Sequence, residues 1–147
     1  MEAAGVGAAG AVGKIPQVCE RFLMRVLVVE DERLIRWSIA ETLAHDGHTV
    51  LEAESAAEAI ATVTGASDPL DAVLLDFRLP DSNDLSLLAN IRKLLPAAPV
   101  ILMTAFGTSE VTQGALDLGV YTVMNKPFEM HDLQDVLRRA CHDARSH

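Results

Sequence analysis

The sequence predicts an α/β fold in which one five-stranded parallel sheet carries helices on both faces. Three observations support this prediction. Five short apolar runs of the kind that form buried strands occur along the 147 residues. Each run is followed by a stretch with apolar residues at helical spacing. Polar clusters stand at the points where the strands end. Strict alternation of strand and helix is typical of the doubly wound class.

The strands and helices can be assigned in chain order from this pattern. The strands are predicted at 25–29 and 48–52, in an apolar run that ends at Asp76, and at 100–104 and 121–124. Leu34, Ile35, Ile39 and Leu43 are expected on the inner side of the first helix, which Gly47 ends. The later helices are predicted at 56–63, 85–95, 109–118 and 130–140. Ser55 is the expected N-cap of the second helix, and Thr108 or Ser109 that of the fourth. Leu118 is expected on the inner face of the fourth helix. Trp37 is expected to be partly buried.

Composition limits the classes of function. Half of the residues are hydrophobic and the formal net charge is −9, with no basic patch, so direct binding to nucleic acid is not expected. Cys19 and Cys141 lack zinc-site spacing and are interpreted as free thiols of a reducing compartment. No apolar run reaches the ~20 residues of a membrane span, which favours a cytoplasmic protein.

The chain is expected to contain one domain. We assign residues 1–23 to a flexible, Gly- and Ala-rich N-terminal tail, residues 24–143 to the domain and residues 144–147 to a C-terminal tail. Met24 stands directly before the first strand and is a second candidate for the translation start.

Polar residues follow four of the predicted strands. Glu30 and Asp31 follow the first, Asp76 ends the third, Thr104 ends the fourth and Lys126 follows the fifth. In a parallel sheet these strand ends share one edge, which is the edge where open α/β sheets bind ligands. Each cluster also has a simpler explanation, since Asp76 would suit loop N–H groups and the acids would suit a helix N-terminus. Their joint occurrence favours a site.

The chemistry of this set favours phosphoryl transfer. Three clustered carboxylates repel one another unless a cation joins them, and Mg²⁺ prefers oxygen ligands. Glu30, Asp31 and Asp76 carry three negative charges, which Mg²⁺ and Lys126 would balance. A carboxylate nucleophile beside a metal, a lysine and the Thr104 hydroxyl could accept a phosphoryl group. The sequence has no Walker motif and no GxGxxG, so a nucleotide is not the expected donor.

From about Arg25 to Ala140 the chain resembles a response-regulator receiver domain of two-component signalling. The matching motifs are VVEDE at 28–32, LLDFRLP at 74–80, LMTA at 102–105 and NKPF at 125–128. The resemblance implies a flavodoxin-like (βα)5 fold with strand order 2-1-3-4-5 and a switch point between strands one and three. The loop after Asp76 is most similar to those of receivers that regulate transcription.

The resemblance also implies a role for each matching residue. Asp76 would be the phosphoacceptor. Asp31 and Asp76 would bind Mg²⁺ through their side chains, Glu30 directly or through water, and Arg78 through its backbone carbonyl. The donor would be a phosphohistidine on a sensor histidine kinase or a histidine phosphotransfer protein.

Further roles concern the phosphoryl group and the response to it. Lys126 would pair with the phosphoryl group, Thr104 would donate a hydrogen bond to it, and Pro127 would follow a cis peptide bond. The response would alter the face of helix four, strand five and helix five, and so change binding to a downstream protein or a second copy.

Two departures from the family pattern bear on this response. The family's usual aromatic residue three positions before the lysine is replaced by Val123. Tyr121 lies two residues earlier and, by strand alternation, is expected on the same face, where it could take over. The loop after Pro80 has Asp84 where a glycine is usual.

Two other functions remain open from the sequence. One is an interaction module on the same fold that works without phosphorylation, which Val123 favours. The other is a Mg²⁺-dependent phosphohydrolase, which would need a second acid at the position of Arg78. We do not expect a metabolic enzyme. The activity expected at most is intrinsic phosphotransfer from phosphohistidine and slow autodephosphorylation.

Overall fold

The computed structural model describes residues 23–145, and the chain on either side lies outside the described residues, including nearly all of the predicted N-terminal tail. Strands and helices alternate along it: β1 (Arg25–Val29), α1 (Arg33–His45), β2 (Thr49–Ala53), α2 (Ala56–Gly65), β3 (Ala72–Asp76), α3 (Ser86–Leu94), β4 (Val100–Thr104), α4 (Ser109–Asp117), β5 (Thr122–Asn125) and α5 (Met130–Arg145). All strand pairs are parallel, in the order β2-β1-β3-β4-β5. The predicted fold and strand order are confirmed.

The central strands separate two hydrophobic clusters. Successive residues of β3 point to opposite faces, so that Val73 and Leu75 join one cluster and Leu74 joins the other. The first cluster, which we call the α2–α4 cluster, is covered by α2, α3 and α4. The second, the α1–α5 cluster, is covered by α1 and α5. Within residues 23–145, no helix is long and apolar enough to cross a membrane.

Side-chain caps fix the starts of two helices. The Ser55 hydroxyl accepts a hydrogen bond from the Glu58 N–H at the start of α2, as its sequence motif predicts. Thr108, rather than Ser109, caps α4 by accepting from the Val111 N–H. The turn after α1 contains Gly47 at φ +96°, a left-handed conformation that side chains rarely adopt.

Several boundaries differ from the predicted ones. β2 and β5 each begin and end one residue later, and α2 continues through Gly65. α5 continues through Arg145, so Ala144 and Arg145 are helical although the sequence suggested a C-terminal tail. The longer helix is consistent with Cys141, which is buried in the α1–α5 cluster in its last turns.

Three apolar side chains that were expected to be buried or partly buried are exposed. Leu34 is 73% exposed and Trp37 is 59% exposed, because the buried stripe of α1 passes through Ile39 and Leu43 at a spacing of four residues. Leu118 is 36% exposed because it follows the last residue of α4 and lies off its inner face.

Candidate functional site

The carboxyl ends of β1, β3, β4 and β5 meet at one edge of the sheet, where the predicted polar residues come together. One carboxylate oxygen from each of Glu30, Asp31 and Asp76 lies within 4.8 Å of the others. Thr104 ends β4 and is in register with Asn125, which directly precedes Lys126. The convergence expected from the ends of parallel strands is therefore present.

The site is largely buried. Among residues 23–145, the buried polar or charged side chains are those of Glu30, Asp76 and Thr104. The Lys126 ammonium reaches between the two acids, with Nζ 2.5 Å from Glu30 Oε1 and 3.3 Å from Asp76 Oδ2. Asp31, the third acid of the cluster, is exposed. Buried charges need such partners, because desolvation of an isolated charge is costly.

The charges of the site perturb one another. Burial raises the pKa of Glu30, and the adjacent Asp76 carboxyl adds to this, although the Lys126 and Glu32 hydrogen bonds partly offset it. Burial alone would lower the pKa of Lys126, but hydrogen bonds and charge from Glu30 and Asp76 outweigh burial and raise it. Lys126 therefore remains a cation, and the three acids still exceed it in charge.

This donor set fits a hard divalent cation. Three carboxylates converge, and one of them is open to solvent. Carboxylate oxygens are the ligands that Mg²⁺ prefers, and a bound divalent ion would balance the excess negative charge. Glu30, Asp31 and Asp76 are the residues that could hold it.

Hydrogen bonds to the backbone and side chain of Glu30 hold this acid in position. The Glu30 N–H donates to Ala53 O at 3.0 Å, and its Oε2 accepts from the Glu32 N–H at 3.1 Å. Arg36 Nη1 donates to the Glu30 carbonyl at 2.8 Å, and its Nε donates to Glu52 at 3.1 Å. Arg36 was not among the predicted site residues, and its only signal in the sequence is its place one turn into the helix that follows the acids.

The loops after β4 and β5 complete the site. Thr104 Oγ1 accepts from the Phe106 N–H at 3.2 Å, and the Thr104 carbonyl accepts from the Lys126 N–H at 2.8 Å. The Lys126–Pro127 peptide bond is cis, the isomer expected there. Thr104 and Lys126 are thus joined through the backbone.

A family model described as "Response regulator receiver domain" matches residues 26–138. The chain belongs to this family. A putative response regulator NtrX-like protein of Rickettsia bellii is 36% identical over 121 residues, which are 81% of this chain and 25% of that protein. The DNA-binding transcriptional regulator NtrC of Escherichia coli K12 is 34% identical over 115 residues, which are 78% of this chain and 24% of that protein. The chain thus spans about a quarter of the length of these curated relatives.

Solved structures give the same family and fold. A CheY-like receiver domain protein of Methanospirillum hungatei superposes with a TM-score of 0.79 at 27% identity, over 84% of this chain and 98% of that one. NtrX of Brucella abortus superposes with a TM-score of 0.76 at 32% identity, over 84% of this chain and 28% of that one. The protein therefore contains the receiver domain of a two-component response regulator, similar to those of NtrX and NtrC.

The receiver domain differs from the sequence prediction at its aromatic position. Val123 is half-buried against the α2–α4 cluster, whereas Tyr121 packs against the α1–α5 cluster on the opposite face of the sheet. The Tyr121 hydroxyl donates to Asp143 of α5 at 2.7 Å. The same-face prediction was wrong because β5 begins at Thr122, so strand alternation does not extend to Tyr121. Tyr121 is not placed to replace the missing aromatic residue.

Two further contacts near the site were not found from the sequence. The Arg78 guanidinium lies over the Phe106 ring, 5.4 Å from its centroid, across the loops that follow β3 and β4. The Asp81 carboxylate accepts hydrogen bonds from the Ala56 and Ala57 N–H groups at the start of α2. Both contacts join segments that are distant in the sequence, so local pattern gave no signal for them.

Proposed function

We propose that this receiver domain is a phosphorylation-dependent switch in which Asp76 accepts a phosphoryl group from a phosphohistidine. The observation that carries this proposal is the position of Lys126, which contacts both Glu30 and Asp76 inside a cluster of three acids. A lysine and a cation site beside a buried carboxylate match the charge requirements of phosphoryl transfer.

In the proposed step, an Asp76 carboxylate oxygen attacks the phosphorus and the bond from phosphorus to the imidazole nitrogen breaks. The electron pair of that bond returns to the histidine of the donor. Lys126 pairs with a phosphoryl oxygen, and the Thr104 hydroxyl donates its proton to another while its Oγ1 continues to accept from the Phe106 N–H. Mg²⁺, held by Glu30, Asp31, Asp76 and the Arg78 carbonyl, would supply charge stabilisation of the phosphoryl oxygens.

The proposed output is a change in the surface formed by α4, β5 and α5. Movement of Thr104 towards the phosphoryl group would draw the following loop with it, since its Oγ1 accepts from the Phe106 N–H. A differential of a few kcal/mol between the two states is enough to change binding to a downstream protein or to a second copy. The proposed phosphodonor is a sensor histidine kinase or a phosphotransfer protein, in the cytoplasm.

A second candidate function is partner binding that does not depend on phosphorylation. Val123 occupies the usual aromatic position, and the Tyr121 hydroxyl is bonded to Asp143 on the other face. The usual aromatic rotamer change therefore has no residue to perform it. Partner binding by Asp76→Asn and Asp31→Asn variants at the wild-type level would favour this function.

The test is incubation with acetyl phosphate, with and without Mg²⁺, followed by intact mass measurement. We expect one phosphoryl group on the wild type, only with Mg²⁺, and none on Asp76→Ala. Asp84→Ala, which removes an exposed acid of the same loop, is the matched control and should be modified normally. No adduct under any donor, together with no response to beryllofluoride, would overturn the proposal.

A second assay, with a phosphomonoester as substrate, separates the switch from a phosphohydrolase. Arg78 stands where such an enzyme would need a general acid. We expect a single modification with slow loss, and no multiple turnover on a phosphomonoester. Sustained turnover would instead revive the phosphohydrolase.

A further inference from the structure

We propose that Asp81 is a positioning residue for the divalent cation, because it fastens the loop that carries the Arg78 carbonyl to the start of α2. The inference rests on the proposed function, in which that carbonyl is a metal ligand. Asp81 does not itself contact the acid cluster in this proposal and acts through the loop.

The contact joins distant parts of the chain. Asp81 Oδ1 accepts from the Ala56 N–H at 2.7 Å, and Oδ2 accepts from the Ala57 N–H at 3.0 Å. Both carboxylate oxygens are used, so the orientation of the side chain is fixed. These bonds hold the pKa of Asp81 below its ordinary value. The acceptor is therefore a carboxylate at neutral pH, although it lies at the surface.

The loop between β3 and α3 has few other anchors. Leu79 is buried, and its N–H and carbonyl pair with the carbonyl and N–H of Ser82, which closes a tight turn around Asp81. The Arg78 N–H lies 3.4 Å from Asp76 Oδ1, which is a long hydrogen bond. The Phe77 N–H donates to Met103 O at 2.9 Å and holds the start of the loop. Without the Asp81 contact, the residues after Phe77 would be held to the body of the domain mainly by the Leu79 side chain and the contact of Arg78 with Phe106.

The start of α2 is a firm point of attachment. α2 buries Ala59 and Val63 in the α2–α4 cluster, and Ser55 supplies its own cap through the Glu58 N–H. Asp81 satisfies two of the other free N–H groups of the first turn. The helix thus keeps a cap of its own when Asp81 is removed, and the loop loses its attachment.

The test is Mg²⁺ affinity of the unphosphorylated protein, measured by titration of backbone amide chemical shifts. We expect Asp81→Ala to weaken Mg²⁺ binding by about tenfold, which is the lower end of the effect seen when residues that orient metal ligands are mutated. Asp81→Asn keeps one acceptor oxygen, so its Mg²⁺ affinity should lie between those of the wild type and Asp81→Ala. The Ala56 and Ala57 amides should shift in Asp81→Ala before any metal is added.

Two matched controls separate positioning from other causes. Asp84→Ala removes an acid of the same loop whose bonds are local, to the N–H and hydroxyl of Ser86. It reports the effect of losing one negative charge. Ser55→Ala removes the other cap of α2 without touching the loop, and so reports the effect of weakening that helix. Both variants should bind Mg²⁺ within about twofold of the wild type.

Three other outcomes overturn the inference, and a fourth overturns only the proposed function. Wild-type affinity in Asp81→Ala would show that the loop holds its position unaided. Equal weakening in either control would assign the effect to charge or to α2. A wild type that binds no Mg²⁺ would remove both this inference and the metal from the proposed function. A wild type that binds Mg²⁺ but is never phosphorylated would overturn the proposed function alone.

Discussion

Every residue of β3 and of β4 is buried, whereas β5 has no buried residue and β2 has only Ala53. α4, beside β5, likewise buries only Ala115, while α3 beside the central strands buries three residues. The same sheet thus has a closely packed centre and two less buried margins.

This difference matches the division of roles in the proposed function. Asp76 and Thr104 end the two fully buried strands, where packing fixes the strand ends that carry the reacting groups. α4 and β5, which would report phosphorylation, have less burial to resist a shift. Segments that move are drawn from the part of a protein with low local stability.

The largest expected effect tests this contrast with one substitution at two positions. Val73 of β3 is fully buried, and Val123 of β5 is half-buried in the same α2–α4 cluster. We expect Val73→Ala to lower the free energy of unfolding by about 2–3 kcal/mol, from lost apolar burial and an internal cavity. Val123→Ala should lower it by less than about 1 kcal/mol, because solvent already reaches that side chain.

The measurement is urea unfolding of the two variants and the wild type. An unchanged dependence on urea concentration is the control, because it shows that the surface exposed on unfolding is the same. Equal losses in the two variants would mean that the margin is packed as firmly as the centre, and the contrast would fail.

A smaller effect is expected where α4 contacts the loop before α3. A Cβ at Gly114 would lie 2.7 Å from Leu85 Cδ1, so glycine permits this close approach. In a helix alanine is favoured over glycine by about 1 kcal/mol, but overpacking costs about 1–3 kcal/mol. The contacting atom is the end of the half-buried Leu85 side chain, which can shift at low cost, so the two effects should nearly cancel and Gly114→Ala should change the stability of the wild type little. In a Leu85→Ala background it should be stabilising by about 1 kcal/mol, because only the helix preference is left.

This dependence on Leu85 is measured by a double-mutant cycle in chemical denaturation. Gly65→Ala is the matched control, because no atom lies within 4 Å of a Cβ at Gly65. Its effect should not depend on Leu85. Additive effects of Gly114→Ala and Leu85→Ala would show that α4 does not bear on Leu85, and that the margin is looser than the structure indicates.

The sequence predicted the centre better than the margins. The fourth strand was predicted with its exact bounds, because turn residues limit its apolar run at both ends. The convergence of Asp31, Asp76, Thr104 and Lys126 followed from the parallel arrangement alone, since parallel strands end at one edge. Their chemical roles stay predictions.

What the sequence could not predict depends on one-residue boundaries or on distant partners. Tyr121 lies on the face opposite to the predicted one, because β5 begins one residue later than the apolar pattern of the sequence indicates. Trp37 is exposed because the buried face of α1 includes fewer positions than the helix has apolar residues. The contacts of Arg36 and Asp81 cross between segments 16 to 25 residues apart, and local periodicity carries no information about them.

The smallest expected effect concerns His48, which joins the margin at β2 to the central strand β1. The Met24 N–H donates to His48 Nδ1 at 3.1 Å, so this nitrogen must be unprotonated. Burial lowers the pKa of His48, and the charge of Asp46 only partly offsets this. The unfolded imidazole takes up a proton near pH 6.5, at about its ordinary pKa, before the folded one does. The stabilising contribution is therefore complete above that pH and is lost as the pH falls towards the folded pKa.

We expect His48→Gln, which keeps an acceptor but does not titrate, to lose less stability than the wild type between about pH 7.5 and about pH 5.5. The difference should be on the order of 0.5 kcal/mol, because solvent screening reduces the effect of a partly exposed ring. Urea unfolding at both pH values measures it, and the variant cancels the contributions of the acids that the two proteins share. A difference between the proteins that is constant with pH would show that the folded state tolerates a charged His48. The connection between the start of β2 and the start of β1 would then not depend on the hydrogen bond from the Met24 N–H to His48 Nδ1.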